Sequence, residues 1–350
     1  MSLSNEFLKR TTVFGLSVSE ALSWVGVERD LDVCELWAGV GSVVRAAAKR
    51  KLATVGLDIS SDNEEDFTCL AGFRKALHEV QRLRRGGLLI MGPPCSTFVW
   101  MSSSVCKRSE ENDFDGEWDN VKVHGGNFQL DIALWFFTYA YMRSVVPALE
   151  NPQHSFTWKC TRTCALLAAL VAAGDDVHEV IVFRCAFTSE GPLYRKPFKF
   201  LSTGDFILAV ERSCTCTRPH AVMTVSLPGG RCRGDPVALA ESASYPPALG
   251  EKIVDSWLGQ SGVRSGVPAT QRPGVPTSHS WASCSGSDVD EPAVRVKPTR
   301  VQTWAGSGSE SEPGTVALRT KRGPPSSKPR AVKARSAQAG RPDWGSSDSD

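Results

Sequence analysis

The sequence predicts an α/β protein built on an open, largely parallel sheet with helices on both faces. Three stretches carry this expectation. Residues 31–37 (LDVCELW) read as a strand closed by the small-residue turn Ala38-Gly39-Val40-Gly41-Ser42 and followed by a helical stretch, 43–51, with a cationic end. Strand, glycine turn and helix form the entry unit of a nucleotide-type α/β fold. Residues 53–59 (ATVGLDI) read as the next strand, with Asp58 near its tip. Residues 88–91 (LLIM) are apolar without alternation, as in a strand buried on both faces, and they run into Gly92-Pro93-Pro94-Cys95.

That last turn sets the functional reading. Gly92 permits unusual dihedrals, and the two prolines fix φ and end the strand. Cys95 is therefore presented at the carboxyl edge of the sheet, where open α/β folds place their ligands. A plain structural thiol is the competing reading, because free cysteine is often buried.

Composition bounds the answer. A chain of 350 residues with 41% apolar content can hold one large domain or two ordinary ones. Its 11 cysteines are odd in number and follow no framework spacing. Residues 1–10 are polar and lack the apolar core of a secretion signal. Reduced cysteines and an intracellular protein are the expectation. The most apolar run, 132–142, is too short to span a bilayer. Net charge is +2, but residues 261–350 carry 13 Lys/Arg against 8 Asp/Glu, leaving −3 on the rest. A mildly acidic body binds nucleic acid only through a local positive cleft.

Taken in order, residues 1–30 are weakly patterned, with a short helix expected over 17–24 capped by Ser17 or Ser19, and no function is read from them. The glycine turn at 38–42 offers backbone N–H groups to a ligand, although many such turns serve packing alone. Asp58 is placed to accept hydrogen bonds from a ribose, or to close its own turn. A helix over 72–83 is expected to end at 84–87 (RRGG). Residues 96–126 form a long polar connection, either a mobile functional loop or a surface insertion. A strongly apolar helix over 128–144 should bury Trp135, Phe136, Phe137 and Tyr139.

A short strand, 145–149, then delivers Glu150-Asn151-Pro152. A carboxylate at a strand end is either a working group or a capping and pairing one. A helix over 161–173 and a β-branched strand over 179–187, carrying Arg184, follow. Residues 194–199 (YRKPFK) interleave cations with aromatics, which suits a nucleic-acid backbone and its bases, or an edge strand guarded by lysines. Cys214 and Cys216 with His220, joined by Cys185, offer a zinc ligand set, although the CxC spacing is tight and no second CxxC is present. A last helix is expected over 245–257.

From 261 to 350 Pro, Ser, Gly, Arg and Lys dominate, so a disordered tail is expected. Trp281, Trp304 and Trp344 each precede serines and acids there, as in a linear docking motif for a protein partner, and the basic run 319–335 suits nuclear import or a nucleic-acid arm. Oligomeric state is not legible.

The ordered set Glu35-Leu-Trp-Ala-Gly-Val-Gly-Ser42, Asp58, Gly92-Pro-Pro-Cys95 and Glu150-Asn-Pro152 resembles the cytosine-C5 methyltransferases. The resemblance covers about 32–257. It implies a Rossmann-like S-adenosylmethionine-dependent methyltransferase sheet over 31–260, with a small C-terminal β-rich subregion at 185–235 as a reduced substrate-recognition region. It implies that S-adenosyl-L-methionine lies across Trp37, Ala38, Gly39, Val40, Gly41, Asp58 and Pro93. Cys95 is then the nucleophile on carbon 6 of cytosine, Glu150 the carboxyl group at N3, Asn151 a support for the cysteine turn, Arg184 a substrate contact, and 96–126 a flap. The sequence departs from the family's pattern at Pro152, in offering only Phe183-Arg-Cys185 for the arginine motif, and in the shortness of its recognition region. The expected partner is nucleic acid, DNA before RNA, with no membrane and a nuclear location favoured by the basic tail. The rival expectation is an inactive methyltransferase-like adaptor that binds nucleic acid and recruits partners through its tail.

Overall fold

Alternation along the central strands sorts the interior into two cores, one on each face of a single sheet. The computed structural model describes residues 3–24, 26–227 and 231–261, and the three tryptophan repeats of the tail lie outside them. The first elements are α1 (Asn5–Arg10), a two-stranded antiparallel pair of β1 (Thr12–Val13) with β2 (Leu16–Ser17), and α2 (Val18–Leu22). Ser17 caps α2 in a reciprocal capping box with Glu20. Then come β3 (Leu31–Leu36), α3 (Ser42–Lys49), β4 (Thr54–Leu57), α4 (Leu70–Arg82) and β5 (Leu83–Met91). The short α5 (Ser103–Cys106), α6 (Val121–Met142), β6 (Val146–Pro152), α7 (Thr161–Ala172), β7 (His178–Phe183) and β8 (Pro197–Ser202) complete the sheet region. The chain continues through β9 (Thr224–Leu227) and β10 (Arg231–Gly234), an antiparallel pair, to α8 (Pro236–Ala243) and α9 (Pro247–Ser261).

The six-stranded sheet has the order β4-β3-β5-β6-β8-β7, with β8 antiparallel to both of its neighbours and the other pairs parallel. The chain leaves β3 to one side for β4 and returns to the other for β5. This makes the carboxyl ends of β3 and β5 a topological switch point, the place where open α/β sheets bind ligands. Val33, Leu88, Ile90 and Ala148 pack with Val43, Leu249, Ile253 and Trp257 of α3 and α9. Their alternates, Cys34, Leu36, Leu89, Met91 and Leu149, pack with Phe73, Leu77, Trp135 and Phe136 of α4 and α6. Both faces are covered, as the largely apolar central strands require. Among the described residues no helix is long and apolar enough to cross a membrane.

The N-terminal segment belongs to the second of these cores. Val18 and Ala21 are fully buried there, and Trp135 donates its indole N–H to the Leu16 carbonyl at 3.1 Å. On the opposite face α9 comes very close to the start of α3. A Cβ at Gly250 would lie 2.3 Å from the Ser42 carbonyl oxygen, so only glycine allows this contact.

Three local expectations are corrected. The RRGG run does not terminate α4 in a turn; the chain passes straight into β5, whose register jumps from Leu31↔Leu83 to Val33↔Leu88. The extra residues find partners outside the ladder: Arg84 pairs with Asp32, and the Gly86 N–H donates to the Ser144 carbonyl at 2.7 Å. The long connection at 96–126 contains α5, two 3-10 turns and the first turns of α6, which begins at an Asn120 cap. Residues 197–199 lie in β8, paired on both sides between β6 and β7, so they form no edge strand. Arg184 lies beyond the end of β7, in the 3-10 turn Arg184–Phe187, not on a strand.

Candidate active site

The carboxyl ends of β4, β3 and β5 bring three predicted stretches together. After β3 the chain turns through Trp37, Gly39 and Gly41 in left-handed conformations, with φ of 56°, 53° and 66°. Trp37 sets its ring edge-on against Phe67, 5.0 Å between centroids. The Ala38 N–H donates to the Leu57 carbonyl, and the Val40 side chain is exposed. Asp58 reaches this turn: its Oδ2 accepts the Gly39 N–H at 2.9 Å, and its Oδ1 accepts from the Ser60 N–H and hydroxyl at 2.8 and 2.5 Å. Oδ2 thus uses one lone pair and retains another, enough for one ribose hydroxyl.

Gly41, the N-cap of α3, offers no side chain to the free N–H groups of the helix. Glu35 supplies one from β3, its Oε2 accepting the Val44 N–H at 3.0 Å. Burial raises the Glu35 carboxyl to about 7, against the lowering effect of the Val44 and Val43 N–H groups. A carboxyl whose folded value lies above its unfolded value makes folding stability fall as pH rises through that interval. Going from an ordinary 4.5 to about 7, the ionised form costs roughly 3 kcal/mol at high pH. Glu35→Gln is therefore expected to unfold later than the parent in denaturant above pH 7, with the difference shrinking toward pH 4.5. An unchanged pH dependence would contradict this.

Around Cys95 the turn is held from β6. Asn151, buried, donates through Nδ2 to the Pro93 carbonyl at 3.1 Å and to the Glu150 carbonyl at 3.0 Å, while its Oδ1 accepts the hydroxyls of Ser155 at 2.8 Å and Thr157 at 3.1 Å. Its amide is fully engaged, so it locks the proline turn against the end of β6. The neighbouring Glu150 is 8% exposed and its Oε2 accepts the Tyr245 hydroxyl at 2.9 Å. Burial raises the Glu150 carboxyl to about 7, although Tyr245 and Lys196 both oppose the rise. Tyr245, half-buried beside this carboxyl, is held well above the usual phenol range, so it stays a donor. A Cβ on Gly92 would stand 3.3 Å from the Tyr245 hydroxyl and 3.4 Å from Glu150 Oε2. The carboxyl–phenol pair therefore overhangs the backbone just ahead of the cysteine, and glycine leaves the space between them open.

Cys95 is half-buried, and its carbonyl accepts the Phe98 N–H at 2.8 Å. Burial pushes its thiol up, the Lys196 cation pulls it back, and the Glu150 charge raises it again. The cation that acts on both Cys95 and Glu150 is thus Lys196, not Arg184. Arg184 donates to the carbonyls of Ser244 at 3.2 Å and Glu241 at 3.1 Å and lies over the Tyr194 ring, holding the chain that leads into Tyr245. Removing the Lys196 charge in Lys196→Met is expected to raise the Cys95 thiol further. Its alkylation by iodoacetamide at neutral pH, read on the Cys95 peptide by mass spectrometry, should slow about tenfold for each unit gained. An unaltered rate would detach Lys196 from the thiol.

Residues 96–126 are anchored to the Cys95 turn by Arg108. This side chain is 4% exposed, donates to the Thr97 carbonyl at 2.7 Å, the Thr97 hydroxyl at 3.0 Å and the Phe114 carbonyl at 2.6 Å, and stacks 3.7 Å from the Phe98 ring centroid. Arg108→Ala leaves those acceptors dry and unpaired, with an expected loss of about 3 kcal/mol in denaturant unfolding. Arg108→Lys should recover only part of it, because an ammonium cannot span the fork. Equal stability of all three proteins would overturn this role.

Sequence reading did not single out Tyr245, Lys196, Glu35 or Arg108 as site residues. Lys196 carried a usable signal, a cation within an aromatic-interleaved run. Tyr245 carried none beyond its place before the last helix. The four candidate zinc ligands Cys185, Cys214, Cys216 and His220 do converge: their ligand atoms all lie within 4.8 Å of one another.

No family model and no curated protein matches this chain. Among solved structures, it is similar to the S. pombe Dnmt2 methyltransferase at 15% identity and a TM-score of 0.30, covering 49% of each chain. It is similar also to the Entamoeba histolytica methyltransferase EhMeth at 12% identity and a TM-score of 0.32, covering 55% of this chain and 58% of that one. The chain spans about half the length of the solved structures it matches.

Proposed function

We propose that the chain is a methyltransferase that uses S-adenosyl-L-methionine. Its acceptor, in this reading, is carbon 5 of a cytosine in nucleic acid, DNA before RNA. One observation carries the proposal: a half-buried thiol on a Gly-Pro-Pro turn at the switch point, backed by a buried carboxyl held near neutrality. The donor fits the residues present, since the turn 37–41 has left-handed backbone and Asp58 has spare acceptor capacity beside it. Trp37, Ala38, Gly39, Val40, Gly41, Asp58 and Pro93 would hold it. When bound, the donor supplies an electrophilic methyl group.

Carbon 5 of cytosine is a weak nucleophile, and the residues around Cys95 are suited to change that. The Cys95 thiolate adds to carbon 6, forming an S–C bond and moving the ring electron pair toward carbon 5 and N3. Glu150, protonated, donates to N3 and stabilises the charge that builds there. Carbon 5 then bonds to the donor's methyl group as the methyl–sulfur bond breaks and the donor's sulfur keeps that pair. Water or hydroxide takes the C5 proton, the C5–H pair re-forms the C5–C6 double bond, and the C6–S bond breaks with its pair returning to Cys95 as thiolate. Lys196 favours the thiolate at both ends of the cycle, and Tyr245 holds the Glu150 carboxyl in place. A base within a duplex must first be flipped out to reach the thiol.

Covalent trapping tests the reading. The protein and S-adenosyl-L-methionine are incubated with DNA or RNA oligonucleotides carrying 5-fluorocytosine, in which the final proton cannot be lost. A denaturation-resistant adduct on the Cys95 peptide is expected, and the oligonucleotide that traps names the substrate. Donor binding without any adduct over varied sequences would sink the covalent reaction in favour of a binding adaptor.

A further inference from the structure

We propose that Cys185, Cys214, Cys216 and His220 form a structural zinc site that clips residues 211–223 onto the end of β7. Three thiols and one imidazole are a closed tetrahedral donor set for zinc, with no position left for water. The ligands come from two separate stretches: Cys185 from the 3-10 turn after β7, the others from the chain beyond the 3-10 turn Asp205–Val210. All four ligand atoms lie within 4.8 Å of one another, and Cys214 Sγ stands 3.4 Å from His220 Nε2. A tetrahedron with Zn–S near 2.3 Å and Zn–N near 2.0 Å has an S···N edge of about 3.5 Å. The cluster is thus already close to the size of the ion's coordination shell.

The segment itself supplies the second line of support. None of residues 211–223 is buried, so apolar packing does not explain its course. Its backbone is tied down at the two ends: Arg212 exchanges hydrogen bonds with Ile181 and Phe183, and the Ala221 N–H donates to the Leu193 carbonyl at 2.8 Å. Cys214, Cys216 and His220 lie between those ties, and their ligand atoms gather with that of Cys185 at one spot. A metal there closes the loop and fixes the turn carrying Cys185 and Arg184, and Arg184 in turn holds the carbonyls ahead of Tyr245. Zinc binding would be folding free energy for this segment.

The test uses the full chain without a histidine tag. Elemental analysis of protein purified from zinc-supplemented cells should give one zinc per chain. Cobalt added to the metal-free chain should give the intense visible absorption and thiolate charge-transfer bands of a tetrahedral sulfur site. Cys216→Ser and His220→Ala should each lower zinc content about tenfold or more after dialysis, whereas Cys69→Ser and Cys164→Ser, outside the cluster, should retain it. Chelation should open Arg212 to trypsin at a rate the zinc-loaded chain does not show. A wild-type chain that stays metal-free and gives only a weak octahedral cobalt spectrum, a disulfide among the three cysteines in protein purified without oxidant, or full zinc content in both cluster variants would each overturn the site.

Discussion

Cys95→Ala is expected to abolish methyl transfer, by roughly 10⁴-fold or more, while leaving S-adenosyl-L-methionine binding unchanged. The proposed reaction has no route to carbon 5 without addition at carbon 6, and Cys95 is the thiol on the turn at the switch point. The side chain is only half-buried and takes no place in either core, so its loss should not unfold the protein. Cys95→Ser should be almost as inactive, because an alcohol in that setting does not ionise near neutral pH. Radiolabelled methyl transfer to oligonucleotides, with calorimetric titration of the donor alongside, separates the two effects. Turnover close to the parent's would remove the covalent mechanism, and lost donor binding would show that the turn had collapsed instead.

Glu150→Gln should change the shape of the pH profile as well as its height. The working state needs the Glu150 carboxyl protonated and the Cys95 thiol ionised. In the resting protein Glu150 titrates at about 7 and burial holds Cys95 above the usual thiol range. Below about 7 the rate should therefore climb about tenfold per pH unit, following the thiolate. Between that point and the thiol's own titration it should be flat, since thiolate is gained as fast as protonated carboxyl is lost. Beyond the thiol's titration it should fall. Glutamine donates to N3 at every pH, so the break near 7 should vanish and the rate should keep rising until the thiol is ionised. Glu150→Ala, which donates nothing, should follow the same rising profile as Glu150→Gln but about 10²–10⁴-fold slower than it. A break near 7 retained in Glu150→Gln would assign it to another group.

The residues that announced the site were local in character. A strand followed by a glycine turn and a helix, an apolar run stopped by two prolines, and a carboxylate at a strand end each depend on neighbours a few positions away. Periodicity and turn chemistry report such features directly. The same locality explains the errors. RRGG is turn-like by composition, yet the sheet and the Ser144 carbonyl draw it into β5. The 96–126 stretch is polar by composition, yet one buried arginine organises it around Thr97 and Phe114.

The reach of the two kinds of information divides at the sheet order. The chain's own pattern settled that there is an open α/β sheet and that Gly39, Asp58 and Cys95 follow strand ends, whereas β6 continues through Glu150 to Pro152 because β8 pairs with it there. Tertiary structure alone decided who faces whom. Tyr245 meets Glu150 across 95 positions because α9 folds back over the start of α3. Lys196, and not Arg184, is the cation whose charge acts on Cys95 and Glu150, because β8 runs antiparallel to β6 and brings its leading residues back to the end of that strand. Hydrogen bonds and charges act through space over a few ångströms, and distances between remote parts of a chain are set by strand order and register, which no local periodicity encodes.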